Sequence, residues 1–163
     1  LPPGESGSLL VRGASQFGGY LKRPQFNATS ADGWFDTGDV ATIDAEGYIR
    51  ITGRSKDVVI RGGENIPVVE IENLLYQHPA IAVVAVVGYP DKRLGERVCA
   101  FVSLKPGASF SFEEMTAYFE RLQLTRQYFP ERLEIVDDLP RTPSGKLQKF
   151  KLRSVARAFG DVD

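Results

Sequence analysis

The sequence has one cysteine, one histidine and a formal net charge of only -1 in 163 residues. The single cysteine, Cys99, excludes an internal disulfide and fits a reducing compartment, so we expect a cytoplasmic protein. The near-neutral charge gives no general attraction to nucleic acid or to an anionic membrane. The longest apolar run, residues 81–87, is far too short to span a bilayer. Metal-ligand spacing is absent, so the sequence predicts no metal site of its own.

The composition is otherwise that of an ordinary globular protein, with 42% hydrophobic and 25% charged residues. This length allows one large or two small domains. The first residue is Leu1 rather than Met, and the opening LPPGE is typical of a loop inside a protein, so we expect a piece of a longer polypeptide. The one histidine, His78, precedes Pro79 at the end of a predicted helix, and we expect a structural role for it.

The first third of the chain is predicted to be all-β. Residues 8–12 have the composition of a strand, and short strands broken by turn-forming residues continue to residue 54. Residues 44–47, Asp-Ala-Glu-Gly, are a good hairpin connection between strands at 40–43 and 48–51.

The second part mixes strands with helices, which predicts an α+β fold. Two continuous apolar strands, at residues 81–87 and 98–104, are expected to be buried on both faces. Shorter strands are expected at 58–60, ending at a pair of glycines, and at 133–136.

Three helices are predicted in this second part. The first begins at Pro67, a residue that suits the first helical position, and the second begins at a capping box of Ser111 and Glu114. Apolar residues at helical spacing predict the core-facing side of the second and third helices. They are Phe112, Met115, Phe119 and Leu122 in the second, and Leu152, Val155, Ala156 and Phe159 in the third.

Polar segments that contain glycine stand out because core packing does not require them. They are DGWFDTGD at residues 32–39, GRSKD at 53–57 leading into RGGENIP at 61–67, and PRTPSGKL at 140–147. None contains the Gly-x-x-x-x-Gly-Lys pattern of a P-loop. Each has a structural and a functional interpretation.

Asp39 ends a predicted tight turn, where its carboxylate could accept hydrogen bonds from the two hydroxyls of a ribose. The alternative is an Asx-type turn at the end of a strand. Arg54 and Lys56 lie at a strand end, where a charged pair is usually a solvated edge. Gly62 and Gly63 form either a plain turn or a place where a long, thin ligand passes close to the backbone.

Lys146 lies in a loop that is held by Pro140 and Pro143, and Gly145 would let this loop turn sharply. Such a lysine could be delivered to an anion as a compact point charge. The alternative is an ordinary surface lysine, and the segment by itself leaves both open.

Taken together and in this order, the segments resemble the adenylate-forming superfamily of acyl-CoA ligases, peptide-synthetase adenylation domains and luciferases. The segments that carry this resemblance are GWFDTGD at 33–39, GRSKD at 53–57, GGENIPVVEIE at 62–72 and LPRTPSGKLQK at 139–149. The resemblance covers nearly the whole chain. The third segment is similar to that of ligases for fatty or alicyclic acids, such as medium- and short-chain acyl-CoA ligases and cyclohexanecarboxylate-CoA ligases.

The resemblance implies a role for each matched position. Asp39 would bind the ribose hydroxyls of ATP, and Arg54 would support the ribose and phosphate region. Lys56 falls on the hinge about which a C-terminal domain rotates between two half-reactions. Gly63, with Gly62 beside it, falls on the loop that lines the pantetheine tunnel for CoA.

Lys146 matches the catalytic lysine of the adenylation step. The physics agrees with that role, because attack of a carboxylate on the α-phosphate brings two anions together and builds charge on the phosphoryl oxygens. A positioned ammonium offsets both.

The resemblance also implies a domain organisation and partners. Residues 1–55 would be the end of a large N-terminal domain, within a barrel-like β subdomain. Residues 56–163 would be a small mobile domain with a short β-hairpin and a three-stranded sheet covered by helices. ATP, CoA and a carboxylic acid are the expected substrates, with Mg²⁺ held by the N-terminal part upstream of Leu1.

Alternatives to a CoA ligase are a peptide-synthetase-type adenylation domain or an acyl-carrier-protein ligase. For the piece alone, a third alternative is a non-catalytic interaction module. We expect the isolated chain to be inactive.

Overall fold

The computed structural model describes residues 1–160, which form two compact units, Leu1–Lys56 and the residues from Asp57 onward. The first unit is all-β and the second mixes strands with helices, which confirms the predicted fold class. None of the described helices is long and apolar enough to cross a membrane.

The first unit contains a three-stranded antiparallel sheet in the order β1-β2-β3. Its strands are β1 (Ser6–Val11), β2 (Phe35–Ile43) and β3 (Ile49–Arg54). The predicted hairpin at residues 44–47 joins β2 to β3. The Oδ1 atom of Asp44 closes it by accepting hydrogen bonds from the backbone N–H groups of Glu46, at 3.1 Å, and Tyr48, at 2.8 Å.

This first sheet is open. The described residues contain no closed barrel, so the expected barrel-like subdomain is represented here only by three strands, too few to close one. Apolar side chains on these strands keep much of their surface; Leu10 is 46% exposed and Ile51 is 51% exposed.

The second unit contains a five-stranded sheet in the order β5-β4-β7-β6, with β8 pairing in parallel with β7. The strands are β4 (Val59–Arg61), β5 (Glu64–Ile66), β6 (Ile81–Asp91), β7 (Gly95–Leu104) and β8 (Arg132–Ile135). Residues 98–103 are buried throughout, which confirms that the central strand β7 is covered on both faces.

Strand β5 was not predicted from the residue pattern, although the resemblance implied a short β-hairpin in this part of the chain. It is only three residues long and includes Glu64 and Asn65, which have low β-propensity, so no alternation marked it. Strands β4 and β5 form this hairpin, and the ladder pair of Arg61 with Gly95 joins it to β7. The expected three-stranded sheet corresponds to β6, β7 and β8, and the hairpin extends it to five strands.

Three helices complete the second unit: α1 (Val68–Tyr76), α2 (Phe112–Arg121) and α3 (Lys149–Ala156). Helix α1 begins one residue later than predicted, with Pro67 just before it. The capping box of α2 is confirmed, since Ser111 Oγ accepts from the Glu114 N–H at 3.2 Å and Glu114 Oε2 accepts from the Ser111 N–H at 2.8 Å.

The core has two parts because alternate residues of β6 and β7 point to opposite faces of the sheet. Val84, Val86 and Val98 pack with helices α1 and α2 on one face. On the other face, Ala85 and Cys99 pack with helix α3. Both faces of this sheet are therefore covered within the second unit itself.

The predicted core stripes of α2 and α3 are only partly correct. Met115 and Phe119 are buried, whereas Phe112 and Leu122 are 40% and 42% exposed. Tyr118 is buried instead, because its hydroxyl donates to the Leu74 carbonyl at 3.0 Å and its polar end is satisfied.

In α3, Leu152 and Ala156 are buried as predicted, but Val155 is 55% exposed. The helix ends at Ala156, and a 3₁₀ turn (Arg157–Phe159) follows. Phe159 is therefore partly buried beside the core rather than on the helix.

Candidate functional site

The segment at residues 37–39 is a β-bulge inside β2 rather than the predicted tight turn. Its register against β1 shifts between Ser8 and Leu10, and Gly38 has a φ of +70°. Asp36 Oδ1 accepts from the Gly38 N–H at 2.8 Å, which is the Asx-type bond of the structural interpretation. A bulge redirects the side chains next to it, here that of Asp39.

Asp39 and Arg54, predicted separately, are brought together by the first sheet. They are paired residues of β2 and β3, and Arg54 Nε donates to Asp39 Oδ1 at 2.7 Å. The Asp39 side chain is 23% exposed and the Arg54 side chain is 45% exposed. No hydrogen bond from residues 1–160 reaches Asp39 Oδ2, which leaves that oxygen available as an acceptor.

Lys56 lies in a 3₁₀ turn (Ser55–Asp57) with its side chain exposed, and the division between the two compact units falls directly after it. Asp57 already belongs to the second unit, where Arg153 of α3 pairs with it at 2.6 Å. This ion pair thus fixes the residue directly after Lys56 to the second unit.

Gly62 and Gly63 are the two central residues of the hairpin between β4 and β5, which we call the glycine turn (residues 61–64). Their φ angles are +60° and +89°, as two-residue hairpin turns with the right twist require. A Cβ at Gly63 would meet nothing within 4 Å, so the backbone conformation and not crowding explains this glycine. The turn is fully open to solvent on that side.

Arg61 is a residue beside the glycine turn that the sequence analysis missed. Its Nη1 atom donates to Glu131 Oε1 at 2.5 Å and to the Phe129 carbonyl at 3.4 Å, and its Nη2 atom donates to the Gln127 carbonyl. Glu131 Oε2 accepts from the Val98 N–H of β7 at 2.8 Å. Its position directly before two glycines was the one available signal.

An open cavity of about 770 Å³ adjoins the glycine turn. Gly62 lies at its edge and donates its N–H to the Leu94 carbonyl at 2.8 Å. Phe112 and Arg126 also line it, so the cavity offers an aromatic ring and a cation to a ligand. Phe112, expected in the core, is exposed at this surface.

Lys146 lies in a closed loop of the second unit, which we call the lysine loop (residues 140–147). Arg141 and Leu147 form an isolated antiparallel bridge, and Gly145 turns the chain with a φ of +83°. The Lys146 side chain is exposed, and its ammonium makes no hydrogen bond or ion pair with any residue that the structure describes. An unpartnered cation on a closed loop is suited to meeting an anion.

The surroundings of His78 and Cys99 indicate structural roles for both residues. The His78 ring lies 4.6 Å from the Phe110 ring and 4.8 Å from the Tyr118 ring, and burial lowers its pKa. Burial raises the pKa of the Cys99 thiol to about 12, which makes it a poor nucleophile. Residues 1–160 contain no group of three or more His, Cys, Asp or Glu residues that could hold a metal ion.

Residues 70–146 match the family model described as AMP-binding enzyme C-terminal domain. This stretch is therefore similar to the C-terminal domain of the AMP-binding enzymes. The chain is 48% identical over 156 residues to a medium-chain fatty-acid–CoA ligase of Escherichia coli (strain K12), covering 94% of this chain and 28% of that ligase.

A salicylyl-CoA synthase / salicylate adenylyltransferase of a Streptomyces species is 44% identical over 163 residues, covering 99% of this chain and 30% of that protein. Among solved structures, ATP-bound MatB from Rhodopseudomonas palustris superposes with a TM-score of 0.89 at 36% identity, covering 99% of this chain and 32% of MatB. The chain thus spans about 30% of the length of the relatives that it matches.

Proposed function

We propose that the protein containing this chain is an AMP-forming acid–thiol ligase. It activates a carboxylic acid with ATP to an acyl-adenylate and then transfers the acyl group to CoA. The observation that carries this proposal is the unpartnered ammonium of Lys146 on the closed lysine loop, in a chain 48% identical to part of a fatty-acid–CoA ligase. The acid is proposed to be fatty or alicyclic.

In the first half-reaction, a carboxylate oxygen of the acid attacks the α-phosphorus of ATP. The bond from that phosphorus to the bridging oxygen breaks, and pyrophosphate leaves. In this step the Lys146 ammonium stabilises the charge that builds on the phosphoryl oxygens. Loss of one such preorganised contact typically lowers the rate by about 10²–10³.

The nucleotide is held by the first unit in this proposal. Asp39 Oδ2 accepts hydrogen bonds from the ribose hydroxyls, while Oδ1 remains paired with Arg54. Arg54 orients the carboxylate, and its half-exposed guanidinium adds positive charge for the phosphates.

In the second half-reaction, the thiol of CoA attacks the acyl carbon of the adenylate and AMP leaves. The glycine turn lines the pantetheine path, because Gly62 and Gly63 put no side chain in the way of a thin ligand. Lys56 is the proposed hinge, with residues 1–55 ending the large N-terminal domain and residues 56–163 forming the small mobile domain. Rotation there exchanges the lysine loop for the glycine turn.

The proposal requires Mg²⁺ to neutralise the phosphates of ATP, with ligands in the part of the protein that precedes this chain. The chain's own residues would bind and orient the substrates around it. A cytoplasmic location and the absence of nucleic-acid partners remain predictions from the composition.

The test is release of pyrophosphate by the full-length protein in the presence of a carboxylic acid. The release should depend on the acid and should be abolished by Lys146→Ala. Lys151→Ala is the matched control, because it removes the same charge from an exposed lysine of α3 and should leave the rate unchanged. Full adenylation activity in Lys146→Ala would show that the proposal is wrong.

Competition between CoA and an acyl carrier protein as acceptors distinguishes a CoA ligase from a carrier-protein ligase. Calorimetry of this chain alone with ATP and with CoA tests the interaction-module alternative. We expect no ATP turnover by the chain alone.

A further inference from the structure

The lysine loop is closed mainly by one residue, Thr142. Its backbone N–H donates to the Lys146 carbonyl at 2.8 Å, and its carbonyl accepts from the Gly145 N–H at 2.8 Å. Its side-chain Oγ1 accepts from the Lys146 N–H at 3.1 Å. Both backbone polar groups of Lys146 are therefore bonded to the same residue.

The backbone and the side chain of Lys146 are held differently. The backbone is fixed on both sides, whereas the ammonium has no partner within the described part of the chain. Because the backbone is already fixed, only the side chain of Lys146 has to be ordered when an anion arrives.

Arg141 adds a second contact to the same loop. Its Nη1 atom donates to the Gly145 carbonyl at 3.1 Å, which holds the peptide between Gly145 and Lys146 in one orientation. Together with the bond from the Lys146 N–H to Thr142 Oγ1, it engages both polar groups of this peptide, which follows a glycine with a positive φ. The Arg141 guanidinium is thus engaged inside the loop.

We propose that Thr142, supported by Arg141, is the positioning residue that presents Lys146 to the α-phosphate. This inference rests on the proposed function and assigns a role to residues that do not themselves touch the substrate. The Thr142 hydroxyl is the only side-chain atom bonded to the Lys146 backbone within residues 1–160. Loss of that bond therefore moves the ammonium without removing it.

The decisive variant is Thr142→Val in the full-length protein, which keeps the shape and removes the acceptor. We expect kcat for acid-dependent pyrophosphate release to fall at least about tenfold, with the KM for ATP unchanged, because misplacement of a reacting group acts on the transition state. Thr142→Ser restores the acceptor and should restore most of the rate. Arg141→Met should give a smaller fall of the same kind.

The same variants are assayed for transfer of the acyl group from preformed acyl-adenylate to CoA. This step does not use Lys146, so Thr142→Val should leave it at the wild-type rate. Thr125→Val is the matched control, because the Thr125 hydroxyl has no hydrogen bond within residues 1–160 and lies outside the loop. It should change neither step.

The outcomes separate this inference from the proposed function. Full adenylation by Lys146→Ala overturns the proposed function. An inactive Lys146→Ala together with wild-type rates in Thr142→Val and Arg141→Met overturns only the positioning role. Equal slowing of both half-reactions in Thr142→Val, or failure of Thr142→Ser to recover, also overturns it, because the effect would then be one of general stability.

Discussion

The glycine turn and the lysine loop are both exposed, glycine-containing turns of the second unit, but different contacts hold them. The glycine turn depends on residues far away in the sequence, since Arg61 bonds to groups 66 to 70 residues further along the chain. The lysine loop is closed from within, since the side chains of Arg141 and Thr142 bond residues four positions away and the Arg141–Leu147 bridge spans six. The position of the glycine turn therefore depends on long-range contacts within the second unit, whereas the conformation of the lysine loop depends on bonds within the loop.

The largest expected effect comes from removing the long-range contact between Arg61 and Glu131. Arg61→Met leaves Glu131 without its partner at a site where the two side chains are only 14% and 26% exposed. We expect the free energy of unfolding of the second unit to fall by about 2–3 kcal/mol, because a poorly solvated charge then lacks its counter-ion. Urea unfolding followed by helical circular dichroism measures this, since α1, α2 and α3 all lie in that unit.

Two controls accompany the measurement on Arg61→Met. Arg126→Met removes an ion pair with Glu120 whose side chains are 82% and 46% exposed, and it should change stability by less than about 0.5 kcal/mol. Trp34, the one tryptophan, lies in the first unit, so its fluorescence transition should not move. Equal losses in the two arginine variants would contradict the anchoring role of Arg61.

A second prediction tests whether the two turns serve different half-reactions. Lys56→Pro fixes φ near -65° at the proposed hinge and should slow transfer to CoA more than it slows adenylation, by about tenfold. Lys56→Ala, which keeps φ free, should slow the transfer less. Rapid-quench measurements of the two steps on the full-length protein supply both rates. Equal slowing of both steps by Lys56→Pro would remove the hinge assignment.

The same contrast explains what the sequence could predict. The lysine loop was recognisable from its own prolines and glycine, and the capping box of Ser111 and Glu114 was recognisable from two residues, because both are closed by local bonds. The hairpin at residues 44–47 was found for the same reason. The α+β class followed from continuous apolar strands alternating with helical stripes.

Features that depend on distant residues were not predicted. The anchoring of Arg61 requires Glu131, and no local pattern links them. The exposure of Phe112 and the burial of Tyr118 depend on which side of α2 faces the sheet and on the Leu74 carbonyl that Tyr118 reaches. The pairing of Asp39 with Arg54 depends on strand register, although both residues had been singled out.

A third prediction compares the two turns without any mutation in the wild-type protein. The Gly62 N–H donates to the Leu94 carbonyl and the Ile60 N–H to the Glu96 carboxylate, so both bonds join the hairpin to the start of β7. The N–H groups of Gly145 and Lys146 are bonded only within the lysine loop. We expect the amide hydrogens of Gly145 and Lys146 to exchange at least about tenfold faster than those of Gly62 and Ile60, because local opening of the lysine loop breaks fewer contacts.

Hydrogen exchange followed by NMR, corrected for intrinsic rates, measures this difference. Arg61→Met should reduce it by accelerating exchange at Gly62 and Ile60 while leaving the lysine loop unchanged. Slower exchange at Lys146 than at Gly62 would reverse the comparison.

The smallest expected effect is the pH dependence of hydrogen exchange near Asp91. Asp91 Oδ1 accepts from the N–H groups of Leu94, at 2.7 Å, and Arg93, at 2.9 Å, in the turn whose Leu94 carbonyl receives the Gly62 N–H. The hydrogen bond from Leu94 lowers the pKa of this carboxyl below its ordinary value of 3.8, with further lowering by the Arg93 N–H and by Arg97. A lowered pKa means that the folded state favours the ionised form.

The stabilisation by Asp91 is therefore fully present above pH 3.8 and is lost as the pH falls from there through the lowered pKa of the folded state. We expect exchange at Leu94 and Gly62, corrected for intrinsic rates, to accelerate in that acid range. Asp91→Asn, which cannot titrate, should remove the pH dependence. The lysine loop contains no carboxylate, so exchange at Lys146 should show no such local step. A matching acid step at Lys146 would mean that the two turns open together, and the contrast between a long-range and a local closure would then fail.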